Sequence, residues 1–281
     1  MEAKESAGHP AEHWLKVRIA QTHPVLGGVD ANLKAIDEQV AQSSERDLVI
    51  TPELATHGYD LAHVPAIHAL NQHHPSLAQL GEHGVAALVG FAEKNRASLH
   101  NSAILVGAGR PVLQRKLTLP SYDRWKEDEL FTPGDSLVTA FVAGTRVGTL
   151  ICNDAWQPQL VWLMAQRGME VIVVPANSVI SEVGLPSREA WEKQLVGLAV
   201  SLQVFIVFAN RVGEEPCGTF WGESSVYAPN GSIVARADST ESTLDVDLDI
   251  GMLRQMRSTW PLLGTPRWDL VREAADRALW G

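Results

Sequence analysis

Cysteine is scarce in this sequence: only Cys152 and Cys217 occur in 281 residues. A disulfide framework needs more than two, so a reducing, cytoplasmic setting is expected. Basic residues are outnumbered as well, 23 Lys and Arg against 33 Asp and Glu, for a formal net charge of −10. Nucleic acid and anionic membrane both reward basic surface, so neither is expected as a partner. Long apolar runs are missing too. The most apolar stretch, residues 195–209, is interrupted by Ser201 and Gln203 and is shorter than the roughly 20 residues a membrane-spanning helix needs. Residues 1–14 carry charge, His and Pro without an apolar core, which reads as an N-terminal tail and not a secretory signal. Histidine is absent beyond His100, so none follows Cys152. That excludes the papain-type order, in which the histidine base lies downstream of its cysteine. His57, His63, His68, His73 and His74 crowd one segment, but they lack the i,i+4 spacing of helical zinc ligands. They read as a solvated loop, and no metal is expected.

What is present is the composition of an ordinary globular protein, 45% hydrophobic and 20% charged. Alternating or continuous apolar runs predict strands over 16–22, 47–50, 85–91, 102–106, 111–116, 138–142, 146–151, 171–174, 204–208 and 243–248, and a hairpin over 226–234 turned by Pro229-Asn230-Gly231. Helical spacing follows Asp30, which reads as an N-cap, and recurs over 76–82, 158–167 and 188–202. Pro158 suits the first turn of its helix. Hairpins mixed with strand–helix–strand units predict an α/β protein with two sheets and helices outside. No internal repeat or linker divides the chain, so residues 15–281 are expected to form one domain.

Three reactive residues stand at predicted strand exits: Glu53, Lys116 and Cys152. Pro52 cannot donate to a sheet ladder, so its strand should stop there and leave Glu53 at the end. Catalytic groups gather at such exits in α/β folds. A cysteine nucleophile needs a base or a positive neighbour to become a thiolate. With histidine excluded, a carboxylate must serve as base, and Glu53 is placed for it. Lys116, if buried beside Cys152, would stabilise both the thiolate and the oxyanion formed when a carbonyl is attacked. Taken singly, each has a blander reading: a small core cysteine, a solvated lysine, an exposed loop glutamate.

Their order and surroundings are more specific. The segments Thr51-Pro52-Glu53-Leu54-Ala55-Thr56-His57-Gly58-Tyr59, Arg115-Lys116-Leu117-Thr118-Leu119-Pro120 and Phe131-Thr132-Pro133-Gly134-Asp135 are followed by Leu150-Ile151-Cys152-Asn153-Asp154-Ala155-Trp156-Gln157-Pro158. Pro175-Ala176-Asn177-Ser178, Ala209-Asn210-Arg211-Val212-Gly213 and Ala228-Pro229-Asn230-Gly231 complete the set, from about Lys16 to Pro261-Leu262-Leu263. This pattern resembles the nitrilase superfamily of carbon–nitrogen hydrolases. The resemblance implies a four-layer α-β-β-α sandwich, homodimers or larger oligomers, and no metal or organic cofactor. Residue by residue it implies Glu53 as general base, Lys116 as oxyanion lysine and Cys152 as nucleophile. Glu127, six residues before Pro133, matches a second glutamate that supports Lys116 and the attacking water. The resemblance further implies that a thioester forms on Cys152 and water hydrolyses it, with the Asn153 backbone N–H sharing the oxyanion.

The residues after Cys152 narrow the substrate. The nitrilases that this pattern resembles carry Trp-Glu after the cysteine, where this chain has Asn153-Asp154. Carbamoylases for N-carbamoyl-D-amino acids continue with arginines that grip a carboxylate; Ala155 and Trp156 stand here instead. The Asp-x-Trp-x-Pro run looks closer to the glutaminase part of NAD synthetases, but a synthetase domain does not fit in 281 residues. The expectation is a stand-alone amidase for a small amide or carbamoyl compound, with Asn153, Tyr122, Trp156, Asn177 and Ser178 as pocket residues. Nitrile hydrolysis, acyl transfer from Cys152 and a non-catalytic homologue are the alternatives. The end of the chain (252–281) carries Trp260, Trp268 and Trp280 among Leu262, Leu263 and Leu270. So dense an apolar load suggests an interface between subunits.

Overall fold

The computed structural model describes residues 12–61, 68–122, 125–181, 186–264 and 266–280. Residues 1–11 of the tail, His63 and the side chain of Trp280 lie outside the described part. The first part of the chain supplies β1 (Trp14–Gln21), α1 (Val29–Ala41), β2 (Leu48–Ile50), α2 (Pro75–Gln79), β3 (Ala86–Asn95), β4 (Ser98–Val106) and β5 (Val112–Arg115). Next come α3 (Glu127–Leu130), β6 (Thr139–Val142), β7 (Thr145–Thr149), α4 (Pro158–Gln166), β8 (Val171–Ala176), α5 (Ser187–Leu202) and β9 (Phe205–Asn210). The last stretch holds β10 (Val212–Glu215), β11 (Gly218–Trp221), β12 (Ser225–Tyr227), β13 (Ile233–Arg236), β14 (Ser242–Asp249), α6 (Ile250–Thr259) and α7 (Trp268–Trp280).

Two six-stranded sheets result, in the orders β14-β1-β2-β3-β4-β5 and β13-β12-β9-β8-β7-β6. Each has three parallel strands at its heart, β1-β2-β3 in one and β7-β8-β9 in the other, flanked by antiparallel strands. The period of two along each strand builds the layers. In β2, Leu48 and Ile50 face the opposite sheet while Val49 faces outward. In β8, Val171 and Val173 point inward, and Ile172 and Val174 meet the outer helices. Helix α1 covers the first sheet through Leu33, Ile36 and Val40; α4 and α5 cover the second through Val161, Met164, Leu195 and Leu198. The architecture is the expected four-layer α-β-β-α sandwich. Each fully buried Val, Leu, Ile, Phe or Met side chain contributes on the order of 1.5–3 kcal/mol before entropy is counted.

Some local expectations need correcting. Asp30 does not cap α1; Gly28 occupies that place and Asp30 sits in the first turn, because burying Val29 draws the start of the helix back. Strand β8 runs through Pro175 to Ala176. Its β7 neighbour pairs only through Val173, so on that side Pro175 needs no ladder N–H. The β10–β11 hairpin and helices α6 and α7 were not foreseen. His68 and His73 are exposed as expected, but His57 is completely buried, and its Nε2–H donates to the His68 carbonyl at 3.0 Å. Its Nδ1 meets Thr56 Oγ1 at 2.6 Å and accepts the Ala92 N–H. Burial holds the His57 ring down at a pKa of about 4, so it stays neutral.

Candidate active site

The exits of β2, β5 and β7 converge. Strand β2 ends at Ile50, and the turn that follows carries Glu53, with Leu54 in the left-handed region at φ 47°. This turn lies so close to β3 that a Cβ on Gly90 would stand 2.3 Å from the Pro52 carbonyl oxygen. Only glycine at 90 lets the Glu53 turn settle there. Lys116 follows β5 and is fixed by its backbone, its N–H donating to the Asn101 carbonyl and its own carbonyl accepting from Gly134, both at 2.8 Å. Cys152 opens a tight turn (Cys152–Trp156) beyond β7 with φ 45°, a conformation that costs a non-glycine residue of order 1–3 kcal/mol.

Glu53, Lys116 and Glu127 are all buried and form one charged cluster. Lys116 Nζ donates to Glu53 Oε1 and to Glu127 Oε1, each at 2.7 Å. Glu53 also accepts from Asn101 Nδ2 at 2.8 Å and, on Oε2, from the Asn177 backbone N–H at 2.9 Å. Glu127 begins α3, accepts from Asn101 at 3.4 Å and takes the Tyr59 hydroxyl on the same oxygen as Lys116. Burial works against the Lys116 ammonium, yet the Glu127 and Glu53 charges outweigh it and hold its pKa well above the ordinary lysine value. Burial lifts the Glu127 pKa and the Glu53 charge adds to it, while Lys116 pulls the other way.

Cys152 behaves differently from the expectation of a stabilised thiolate. Burial first, and then the Glu53 charge, push its thiol well above the usual range; Lys116 opposes them without prevailing. The sulfur therefore rests as a thiol. Glu53 is the carboxylate whose charge it feels most.

A cleft of about 490 Å³ opens above this cluster, with Cys152 and Glu127 in its wall. All five expected pocket residues line it: Asn153, Tyr122, Trp156, Asn177 and Ser178. Tyr122 is 59% exposed at the rim, which rules out plain core packing for it. Trp156 packs against Trp191 with ring centroids 4.8 Å apart. Ser178 Oγ accepts from the indole N–H groups of both Trp191 and Trp221, each at 2.9 Å. The buried Asn177 side-chain amide finds no hydrogen-bond partner among the described residues. Tyr59, Trp125 and Trp191 complete an aromatic lining, and no Lys, Arg or His is among the described lining residues. Among the described residues no group of three or more His, Cys, Asp or Glu could hold a metal ion, and no helix is long and apolar enough to cross a membrane.

Three participants escaped the sequence reading. Tyr59 and Asp154 lie inside the motif segments, where the resemblance implies no role for them. Asn101 carries no local signal, because its partner Glu53 is 48 residues away.

Comparison with known proteins agrees with this arrangement. The family model described as carbon-nitrogen hydrolase matches residues 16–258. The N-carbamoylputrescine amidase of Arabidopsis thaliana is 30% identical over 72% of this chain and 73% of its own length. An (R)-stereoselective amidase of Pseudomonas sp. is 29% identical over 93% of this chain and 95% of its own. Among solved structures, the carbon-nitrogen hydrolase of Helicobacter pylori G27 superposes with a TM-score of 0.80 at 23% identity, over 94% of this chain and 99% of that one. The glutamine-dependent NAD+ synthetase of Acinetobacter baumannii superposes at 0.77 with 28% identity over 86% of this chain, which spans 47% of that protein.

Proposed function

The chain belongs to the carbon–nitrogen hydrolase family, and we propose that it cleaves the carbon–nitrogen bond of a small amide or carbamoyl compound through a thioester on Cys152. The observation that carries this reading is the buried Glu53–Lys116–Glu127 cluster beside a strained cysteine turn in the wall of an aromatic cleft. Glu53 takes the thiol proton as Sγ bonds to the carbonyl carbon. The carbonyl electron pair moves to oxygen, where Lys116 and the Asn153 N–H hold the negative charge. The intermediate collapses, the carbon–nitrogen bond breaks, and Glu53 returns the proton to the leaving nitrogen. Water then gives a proton to Glu53 and attacks the thioester. As the carbon–sulfur bond breaks, the proton passes back to sulfur and the acid departs. Glu127 keeps Lys116 charged throughout.

The lining supports a substrate class. Tyr59, Tyr122, Trp125, Trp156 and Trp191 offer ring faces, and Glu127 is the charged residue among the described lining. Such a cleft favours a neutral or cationic substituent over a carboxylate, since ring faces attract cations. The name of the Arabidopsis relative fits a carbamoyl group on an aminoalkyl chain. The unpartnered Asn177 amide is available to the substrate's own polar group.

The same reading extends to context. Residues 15–281 act as one hydrolase domain, supported by the core that the two sheets share. The exposed Trp260, Leu262, Trp268 and Leu270 support a homodimer or larger oligomer that covers them. Two cysteines outside any disulfide agree with a cytoplasmic location.

Ammonia release from N-carbamoylputrescine, simple amides, nitriles and N-carbamoyl amino acids tests the substrate class. Cationic and neutral amides or carbamoyl compounds should exceed the carboxylates in kcat/KM by at least about tenfold. A preference for carboxylates or nitriles would overturn it. Acid-quenched turnover followed by peptide mass analysis should find the acyl group on Cys152; an acyl adduct elsewhere would overturn the mechanism.

A further inference from the structure

Asp154 lies two residues beyond Cys152, is completely buried and is not part of the cleft wall. Its carboxylate nonetheless accepts three backbone N–H groups. Oδ1 accepts the backbone N–H of Leu117 at 3.0 Å and of Thr118 at 2.7 Å, and Oδ2 accepts that of Ile151 at 3.0 Å. One side chain thus grips the segment just after Lys116 and the residue just before Cys152.

That grip bridges a gap that the fold leaves open. β5, which delivers Lys116, is the edge strand of one sheet; β7, which delivers Cys152, belongs to the other. No ladder hydrogen bond runs between them, so sheet register cannot set the spacing of ammonium and thiol. A second polar tie between the same two segments is Asn153 Nδ2 to the Thr118 carbonyl at 3.0 Å. A buried carboxylate is also a costly way to fill space, because desolvation penalises a charge that hydrogen bonds do not offset. Burial accordingly lifts Asp154 to a pKa of about 7 against the pull of Lys116 and the three amides. The Cys152 turn itself is strained, and Asp154 closes it from both ends, through the bond to Ile151 and through its own N–H to the Ile151 carbonyl at 3.0 Å.

We infer that Asp154 is a positioning residue for the hydrolysis: its carboxylate bridges the Leu117–Thr118 amides and the Ile151 amide, and so sets the placement of Lys116 against Cys152. The assignment rests on the reading that these two residues act together. Asparagine at 154 would keep the shape but break one end of the bridge. If its oxygen serves Leu117 and Thr118, its NH₂ meets the Ile151 N–H, donor against donor.

The test compares Asp154→Asn with the parent in a Cys217→Ser background, reading kcat, KM and the rate at which iodoacetamide alkylates Cys152, followed by peptide mass. Misplacing a reacting group by a fraction of an ångström is expected to lower kcat at least about tenfold with KM within about twofold, and to slow alkylation several-fold. Loosening of a purely structural brace would do the opposite to the sulfur, exposing it and speeding alkylation. Faster alkylation, a loss confined to KM, or kcat within twofold of the parent would each overturn the assignment. Asp154→Ser, measured in the same way, serves if the asparagine variant does not fold; failure of both to fold would make Asp154 a folding residue and overturn it as well. Cys152→Ala is the control: activity surviving there would defeat the thioester reading, whereas an inactive Cys152→Ala beside a normal Asp154→Asn would defeat this inference alone.

Discussion

Tyr59 donates its hydroxyl to Oε1 of Glu127, the same carboxylate oxygen that takes the Lys116 ammonium. The phenol is buried, and burial together with the Glu127 and Glu53 charges pushes its pKa well above 10, so it serves as a donor at every working pH. Its backbone is held by Glu215, which accepts the Tyr59 N–H at 2.8 Å and pairs with the buried Arg211 at 2.6 Å. The β10–β11 hairpin therefore reaches the site through Tyr59.

Tyr59→Phe should lower kcat about tenfold, since a hydrogen bond to a charged group is worth about 1.5–3 kcal/mol. Losing this donor raises the Glu127 pKa further, so the acid limb of the kcat profile should move to higher pH. Steady-state kinetics across pH 5 to 9 checks both effects, and an unmoved acid limb would separate Tyr59 from Glu127.

Cys152→Ala should reduce kcat by at least about a thousandfold while leaving the melting temperature close to the parent's. Cys217→Ser should stay within about twofold, because Cys217 does not line the cleft. Turnover in the alanine variant near that of the parent would remove the nucleophile from the mechanism.

His57 makes stability pH-dependent. Its folded pKa is about 4, below the ordinary 6.5, so the unfolded chain binds the extra proton first as pH falls. Stability contributed by the neutral ring is complete above about 6.5 and is lost on acidification towards 4, by at most about 3 kcal/mol. Thermal melts of the parent and His57→Gln between pH 7 and 4 should show a shallower slope for the variant. Parallel slopes would refute the assignment.

The end of the chain tests the assembly. Trp260 is 68% exposed and Leu262 62%, while Trp268 touches its own subunit through Trp162 at 4.9 Å. Sedimentation of the full chain at micromolar concentration should give a dimer or larger species, and a chain ending at Ser258 should dissociate at least about tenfold more readily. A full-length monomer would contradict the proposed interface, and an unchanged dimer after truncation would move the interface elsewhere.

Much of the fold could be read directly from residues. Pro52 ends β2 and leaves Glu53 at its exit, Pro158 starts α4, and Pro229-Asn230-Gly231 turns the hairpin. These signals are local: one residue's geometry is enough to fix each of them. The β10–β11 hairpin was illegible because Glu214, Glu215 and Pro216 break the apolar alternation, and its stability comes from Arg211, Phe220 and Tyr59 packed around it. His57 misled for a related reason. Its run looks solvated, and His68 and His73 are exposed, but the fold closes over His57 and satisfies its ring.

The sequence alone supplied a candidate base, cation and nucleophile and their order along the chain, because the residue types that can serve are few and the motifs around Glu53, Lys116 and Cys152 set them at strand exits. Only the tertiary structure decided how they share charge. Glu53 meets the Asn177 backbone N–H across 124 residues, and Lys116 divides itself between two carboxylates. Cys152 lies where burial outweighs the lysine, so the sulfur waits as a thiol. Burial and distance set those balances, and both belong to the folded chain.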